Sequence, residues 1–196
     1  MVEAIVPVVH GKARSRYALS VFLHVVGAGV SAAVLGATLG GIGALLRAPW
    51  GTAGLIAITT VALAYALRES AGVPVPIPDR HQQVPEWWRG FYSPPVSAFL
   101  YGLGLGPGFF TFLSFGTFVA VAVAALASGS PLVGAVLCGP FGIARGLSVL
   151  ISATTHSGDD AGRVIDRLET LAATPIPRLA NAVALAGLAA AAVVAI

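Results

Sequence analysis

Ser20–Gly29 reads SVFLHVVGAG, and Ser97–Gly106 reads SAFLYGLGLG. Ser20, Phe22, Leu23, Gly27 and Gly29 recur as Ser97, Phe99, Leu100, Gly104 and Gly106, with His24 opposite Tyr101. The same offset of 77 residues carries Arg68 onto Arg145. Each phrase opens a long apolar run, followed by a tight turn and a shorter apolar run that ends near an arginine. Five matches in ten positions, joined to the distant arginine pair, predict an internal duplication of a two-helix unit.

What surrounds the phrases fixes the solvent. Of the 196 residues 57% are hydrophobic and only 10% charged, with a mean hydropathy of +0.88. A soluble domain carries about 25% charged residues because its surface must face water. This chain has too few polar groups to cover itself, which predicts an all-α, polytopic integral membrane protein. No secretory signal peptide is expected, since Met1–His10 is short and proline-interrupted and the basic cluster Lys12, Arg14, Arg16 follows it. A single cysteine, Cys138, excludes an intrachain disulfide and a dithiol relay run by this chain alone.

The runs are long enough to place. Residues 18–46 and 96–128 exceed the roughly 20 residues that cross the hydrocarbon core, so each must tilt, protrude or break. Residues 52–67 and 132–153 form the shorter return spans, and residues 179–196 a final one. The repeat thus covers residues 18–68 and 95–153 of one membrane domain, giving about five transmembrane helices. Interfacial segments are expected at 70–95 and 155–177. In the first, Trp87 and Trp88 among Glu86 and Arg89 have the composition of a headgroup-level anchor, as does Trp50 in the turn RAPWG. In the second, Val164, Ile165, Leu168 and Leu171 recur on one face of an amphipathic helix.

Charge then orients the chain. With the N-terminus inside, nine basic residues fall inside (Lys12, Arg14, Arg16, Arg68, Arg80, Arg89, Arg163, Arg167, Arg178) and only Arg47 outside. That polarity follows the positive-inside rule and predicts an inner-membrane protein with its C-terminus outside. It also puts the turns near Ala48–Gly51 and Gly129–Pro131 on one face. The two repeats would then run parallel.

Candidate functional residues are few. A charge within a span is costly unless it reaches the interface, an anion or a carboxylate. Arg145 is such a charge, and Arg68, its repeat partner, lies nearer the boundary. The pair could contact a small anion, or anionic lipid headgroups. His24 sits one to two turns into the first span, where it can bond across helices or relay protons, and Tyr101 takes its place in the second copy. Gly27, Gly29, Gly104 and Gly106 predict close helix packing at the repeat interface, while Pro107 and Pro140 predict kinks. No HExxH, CxxC or other close ligand spacing occurs, nor a Ser–His–Asp order or paired intramembrane carboxylates. No metal, cofactor, nucleic acid or enzymatic activity is expected.

Tyr101–Phe112, YGLGLGPGFFTF, resembles the broken-helix region of the membrane electron transporters of the cytochrome c biogenesis and DsbD type. The resemblance implies two inverted three-helix repeats and one redox cysteine in each half. Those cysteine positions hold none here, Cys138 lies in another span, and the charge pattern makes the halves parallel. If related, the chain has lost that chemistry, and transport of a small solute or ion remains. The expectation is therefore an oligomeric transporter or channel-like protein for a small solute or anion. The rival reading is an accessory or assembly subunit of a larger membrane complex.

Overall fold

The computed structural model describes residues 14–77, 87–108, 115–152 and 158–194, and the regular structure among them is helical throughout. α1 (Arg14–Leu45) starts at the basic cluster and runs for 32 residues. α2 (Thr52–Ala71) stops where Gly72 adopts φ 71° and returns its N–H to the Arg68 carbonyl, an αL cap suited to glycine. A short α3 (Trp88–Phe91) precedes α4 (Pro94–Leu105), which opens on two prolines whose missing N–H groups cost a first turn nothing. α5 (Thr117–Ser128) ends at Gly129, also left-handed. α6 (Pro131–Leu147) is capped by Ser130, whose side chain accepts from the Val133 N–H, and continues as a 3-10 turn, Ser148–Ser152. α7 (Gly158–Ala173) is the amphipathic helix expected from its apolar stripe, and α8 (Ile176–Val194) is the last.

Among the described residues four helices are long and apolar enough to cross a membrane: Ser15–Leu45, Thr52–Ala71, Pro131–Ile151 and Ile176–Val194. The fifth crossing is split. α4 and α5 have 12 residues each, about 18 Å apiece at 1.5 Å per residue, and neither alone spans a core of about 30 Å. The long run at 96–128 is therefore two half-helices rather than one tilted rod. Its break falls within the glycine and proline series. α6, by contrast, carries on past Pro140, which lies on its exposed side.

Glycine contacts give the direction of three packed pairs. A Cβ on Gly27 would press on Phe99 and Leu103, one on Gly102 on His24 and Ala28, and one on Gly106 on Ala28 and Ser31. The partner numbers rise together, so α1 and α4 run parallel, and at nearly the separation of the repeat. Against α6 they run oppositely: Gly29 meets Ile143, Gly36 meets Gly134 and Cys138, and Gly40 meets Ser130. α2 is antiparallel to α5, with Gly116 on the Tyr65 ring and Gly54 beside Ala127. Gly129 packs on Ala48, so the two interhelical turns share one end of the bundle. The basic residues Arg16, Arg68 and Arg163 belong to the other end, called the basic end below.

Two seams result. α1, α4 and α6 interlock through glycine and alanine, with Ala28, Ala32 and Cys138 fully enclosed. α2, α5 and α8 meet around Ala62, Tyr65, Ala66, Ala120, Leu185 and Ala189. Large apolar side chains point outward instead, including Phe22, Val34, Leu132, Val136 and Val183. A soluble protein would bury such residues; lipid tails solvate them, and small residues take the helix interfaces.

Candidate functional site

The split crossing brings chemistry-bearing residues together. Gly106, at the end of α4, lies against Ala28 and Ser31, halfway along α1. Two residues on, Gly108 has φ 62° and the Phe118 ring of α5 covers it, so the half-helices abut near mid-depth. Non-helical backbone at that depth survives only where protein encloses it or a polar cavity solvates it. Pro107, buried between these glycines, denies the helix a donor.

Arg145 reaches the same place through aromatic rings. Its guanidinium carbon lies 5.9 Å from the centre of the Phe141 ring, one turn back on α6. Phe141 in turn packs on Phe118 with centroids 5.0 Å apart. A half-buried cation thus lies over an α6 ring that itself packs on α5 beside the break, a geometry that stabilises a desolvated guanidinium. The sequence marks Arg145 as a charge within a span but does not single out Phe141. Their (i, i+4) spacing on a helix was the available signal.

Of the repeat equivalents His24 and Tyr101, His24 faces the α1–α4 seam. His24 is 2% exposed, and its Nδ1 lies 3.0 Å from the Ala98 carbonyl oxygen. A carbonyl only accepts, so Nδ1 carries the proton. Tyr101 is buried, with the Trp88 ring edge-on at 5.9 Å. Ser97, equivalent to Ser20, donates to the Trp88 carbonyl at 3.0 Å and fastens α3 to α4. Trp87 and Phe91 stay exposed and pack edge-to-face at 5.6 Å, while the Trp50 indole N–H donates to the Leu46 carbonyl at 3.0 Å. Gly27 and Gly106 lie between α1 and α4. Gly29 instead faces α6, and Gly104 is half-buried on α4.

Arg68 does not join Arg145. Its Nε donates to the Val75 carbonyl at 2.9 Å, and its NH1 pairs with Glu69 at 2.6 Å. The Glu69 side chain is only 2% exposed. It lies in line with Ala62, Tyr65 and Ala66 on the buried face of α2. In the sequence Glu69 reads as a boundary charge, because its helical face cannot be read without knowing what α2 packs against. Asn181, the one amide of α8, was passed over as well; Thr117 donates to its Oδ1, joining α5 to α8. His10, His81 and His156 lie outside the described residues. Among the described residues no group of three or more His, Cys, Asp or Glu could hold a metal ion.

The class defined by this geometry is a polytopic, all-helical membrane protein with an internal two-helix repeat and one split crossing. By sequence it is related to curated proteins named "Methylamine utilization protein MauF". It is 35% identical over 140 residues to that of Methylophilus methylotrophus, covering 70% of this chain and 49% of the relative. It is 31% identical over 132 residues to that of Paracoccus denitrificans, with 67% and 48% covered. Against that of Methylobacillus flagellatus it is 30% identical over 138 residues, with 70% and 49% covered. The chain spans about half the length of the curated relatives it matches. No family model matches it, and no solved structure does.

Proposed function

We propose that the protein is a small membrane transporter or channel-like protein for a small solute or anion, acting as an oligomer in the inner membrane. The split crossing carries this reading. Transporter sites gather where half-helices end near mid-depth, because unwound backbone offers dipoles to a substrate there. Arg145 beside the break supports an anionic group on the solute. Five crossings offer little wall for an enclosed path, which favours self-association. The polarised arginines favour an N-terminus inside, a C-terminus outside and contact with anionic lipid headgroups at the basic end. The resemblance to the DsbD-type family remains a proposal about ancestry, without redox chemistry in a chain that has one cysteine.

The relatives' name supports a second reading, a place in methylamine utilization as a non-catalytic accessory or assembly subunit. The exposed Trp87–Phe91 turn would then be a docking point for another membrane subunit. Purified protein in liposomes separates the two readings. The transport reading predicts flux of a small anion above that of empty vesicles, lost in Arg145→Ala while helicity and monodispersity persist. No flux with any solute, together with stable co-purification of a membrane partner, would favour the subunit.

A further inference from the structure

Beyond α2 the chain reads Gly72–Ile77, GVPVPI, and folds back along the helix it has just left. Gly72 makes the turn: its φ is 71°, and a Cβ there would meet nothing of the described residues within 4 Å, so conformation calls for glycine. Pro74 and Pro76 lack N–H groups and favour an extended path. The Val75 N–H bonds only locally, to the Val73 carbonyl at 2.8 Å.

The segment's attachment to the bundle rests on side chains. The Tyr65 hydroxyl donates to the Pro76 carbonyl at 2.8 Å, and Arg68 Nε donates to the Val75 carbonyl at 2.9 Å. Val75 and Ile77 are half-buried against the α2–α5–α8 cluster, whereas Val73, Pro74 and Pro76 are exposed. Glu69, almost wholly buried, holds Arg68 in its donating position. Tyr65 does two jobs, because its ring also packs on Gly116, at the start of α5. One side chain therefore links this segment to the split crossing. The helices of this seam also carry hydrogen-bonding atoms that a permanently dry interface would not need: Thr59 Oγ1 on α2 and Asn181 Nδ2 on α8 are buried with no partner among the described residues.

We propose that Gly72–Ile77 is a strap that closes the α2–α5–α8 seam at the basic end, and that its release admits water and small polar solutes toward the split crossing. Glu69 is then a positioning residue, acting through Arg68. The purpose of the opening rests on the transport reading, while the strap itself is testable without any flux.

The test uses full-length protein in lipid nanodiscs with Cys138→Ala, which removes the native thiol. Ala66→Cys reports on the α2–α5–α8 seam and Ala32→Cys on the α1–α4–α6 seam. A small, water-soluble thiol reagent supplies the rate. Tyr65→Phe keeps the ring on Gly116 and deletes only the hydroxyl, and Arg68→Lys keeps the charge beside Glu69 while losing Nε. Together they are expected to raise labelling at Ala66→Cys on the order of tenfold and leave Ala32→Cys protected. An unchanged rate at Ala66→Cys would overturn the strap. So would a rise at both reporters, because the two bonds would then be holding the fold as a whole. A strap that opens in a protein without measurable flux would count against transport alone.

Discussion

His24 on α1 donates through Nδ1 to the carbonyl oxygen of Ala98 on α4, 3.0 Å away, across the seam between the two copies of the repeat. The helices run parallel there, and glycine lets them approach until a side chain meets the neighbouring backbone directly. Such a bond in a membrane bundle contributes about 0.6 kcal/mol on average and up to about 1.7. His24→Leu should therefore destabilise the protein by about 1 kcal/mol in detergent unfolding. His24→Gln, which can still donate, should recover part of the loss. Equal stability of wild type and His24→Leu would show that the contact contributes nothing.

Glycine substitutions should divide by location. A methyl on Gly36 would overlap the Gly134 carbonyl oxygen, and one on Gly134 would overlap that of Gly36. Gly36→Ala and Gly134→Ala should each cost about 1–3 kcal/mol through overpacking. Gly187, in the middle of α8, has nothing within 4 Å of its would-be Cβ. Gly187→Ala should instead be neutral or stabilising by about 0.5–1 kcal/mol, the helix-interior preference of alanine over glycine. Thermal unfolding of the three variants in one detergent checks the ordering.

Trp50 and Trp87 should be reached from opposite sides of the membrane, and Trp50 and Ser130 from the same side. The packing of Gly129 on Ala48 sets the second relation, and the single passage of α2 sets the first. Cysteines placed at these three positions in a Cys138→Ala background, labelled with an impermeant reagent, give the answer. Labelling of positions 50 and 87 from one side would remove a crossing from the account.

Much of this was legible in the chain. The apolar run lengths and the polarised arginines anticipate a helical membrane fold with parallel halves, and Gly102, Gly104, Gly106 and Pro107 mark a kink in the second long run; that the run divides into two half-helices instead of crossing simply is seen only in the structure. Helix direction follows from counting crossings, and backbone breaks follow from residues that cannot sustain a helix. Which face meets which neighbour is another matter. Gly29 and Gly27 are two residues apart, yet one serves α6 and the other α4. Glu69 reads as a boundary charge until the packed face of α2 is known. The strap was equally hidden, because Tyr65 and Arg68 bind carbonyls, and every residue carries a carbonyl.

Arg145 should respond to charge and shape separately. Arg145→Lys keeps the cation but loses the planar group that lies over Phe141, and Phe141→Leu removes the ring while leaving the arginine. The cation–π term is worth about 0.5–2 kcal/mol depending on desolvation. Either change should reduce anion flux by about 2- to 30-fold, and Arg145→Ala by more than either. Flux assays on the three variants at matched protein density provide the comparison.

If Gly106–Gly108 and the start of α5 border a polar path near mid-depth, thiol accessibility at Thr117 reports it. Thr117 begins α5 and is half-buried, while Ala32, in the central part of α1, is fully enclosed. In membranes and with Cys138→Ala, Thr117→Cys should react with a small water-borne reagent on the order of tenfold faster than Ala32→Cys, because unwound crossings border solvated space. Equal protection of the two positions would mean that the break is sealed in protein, and would contradict the account.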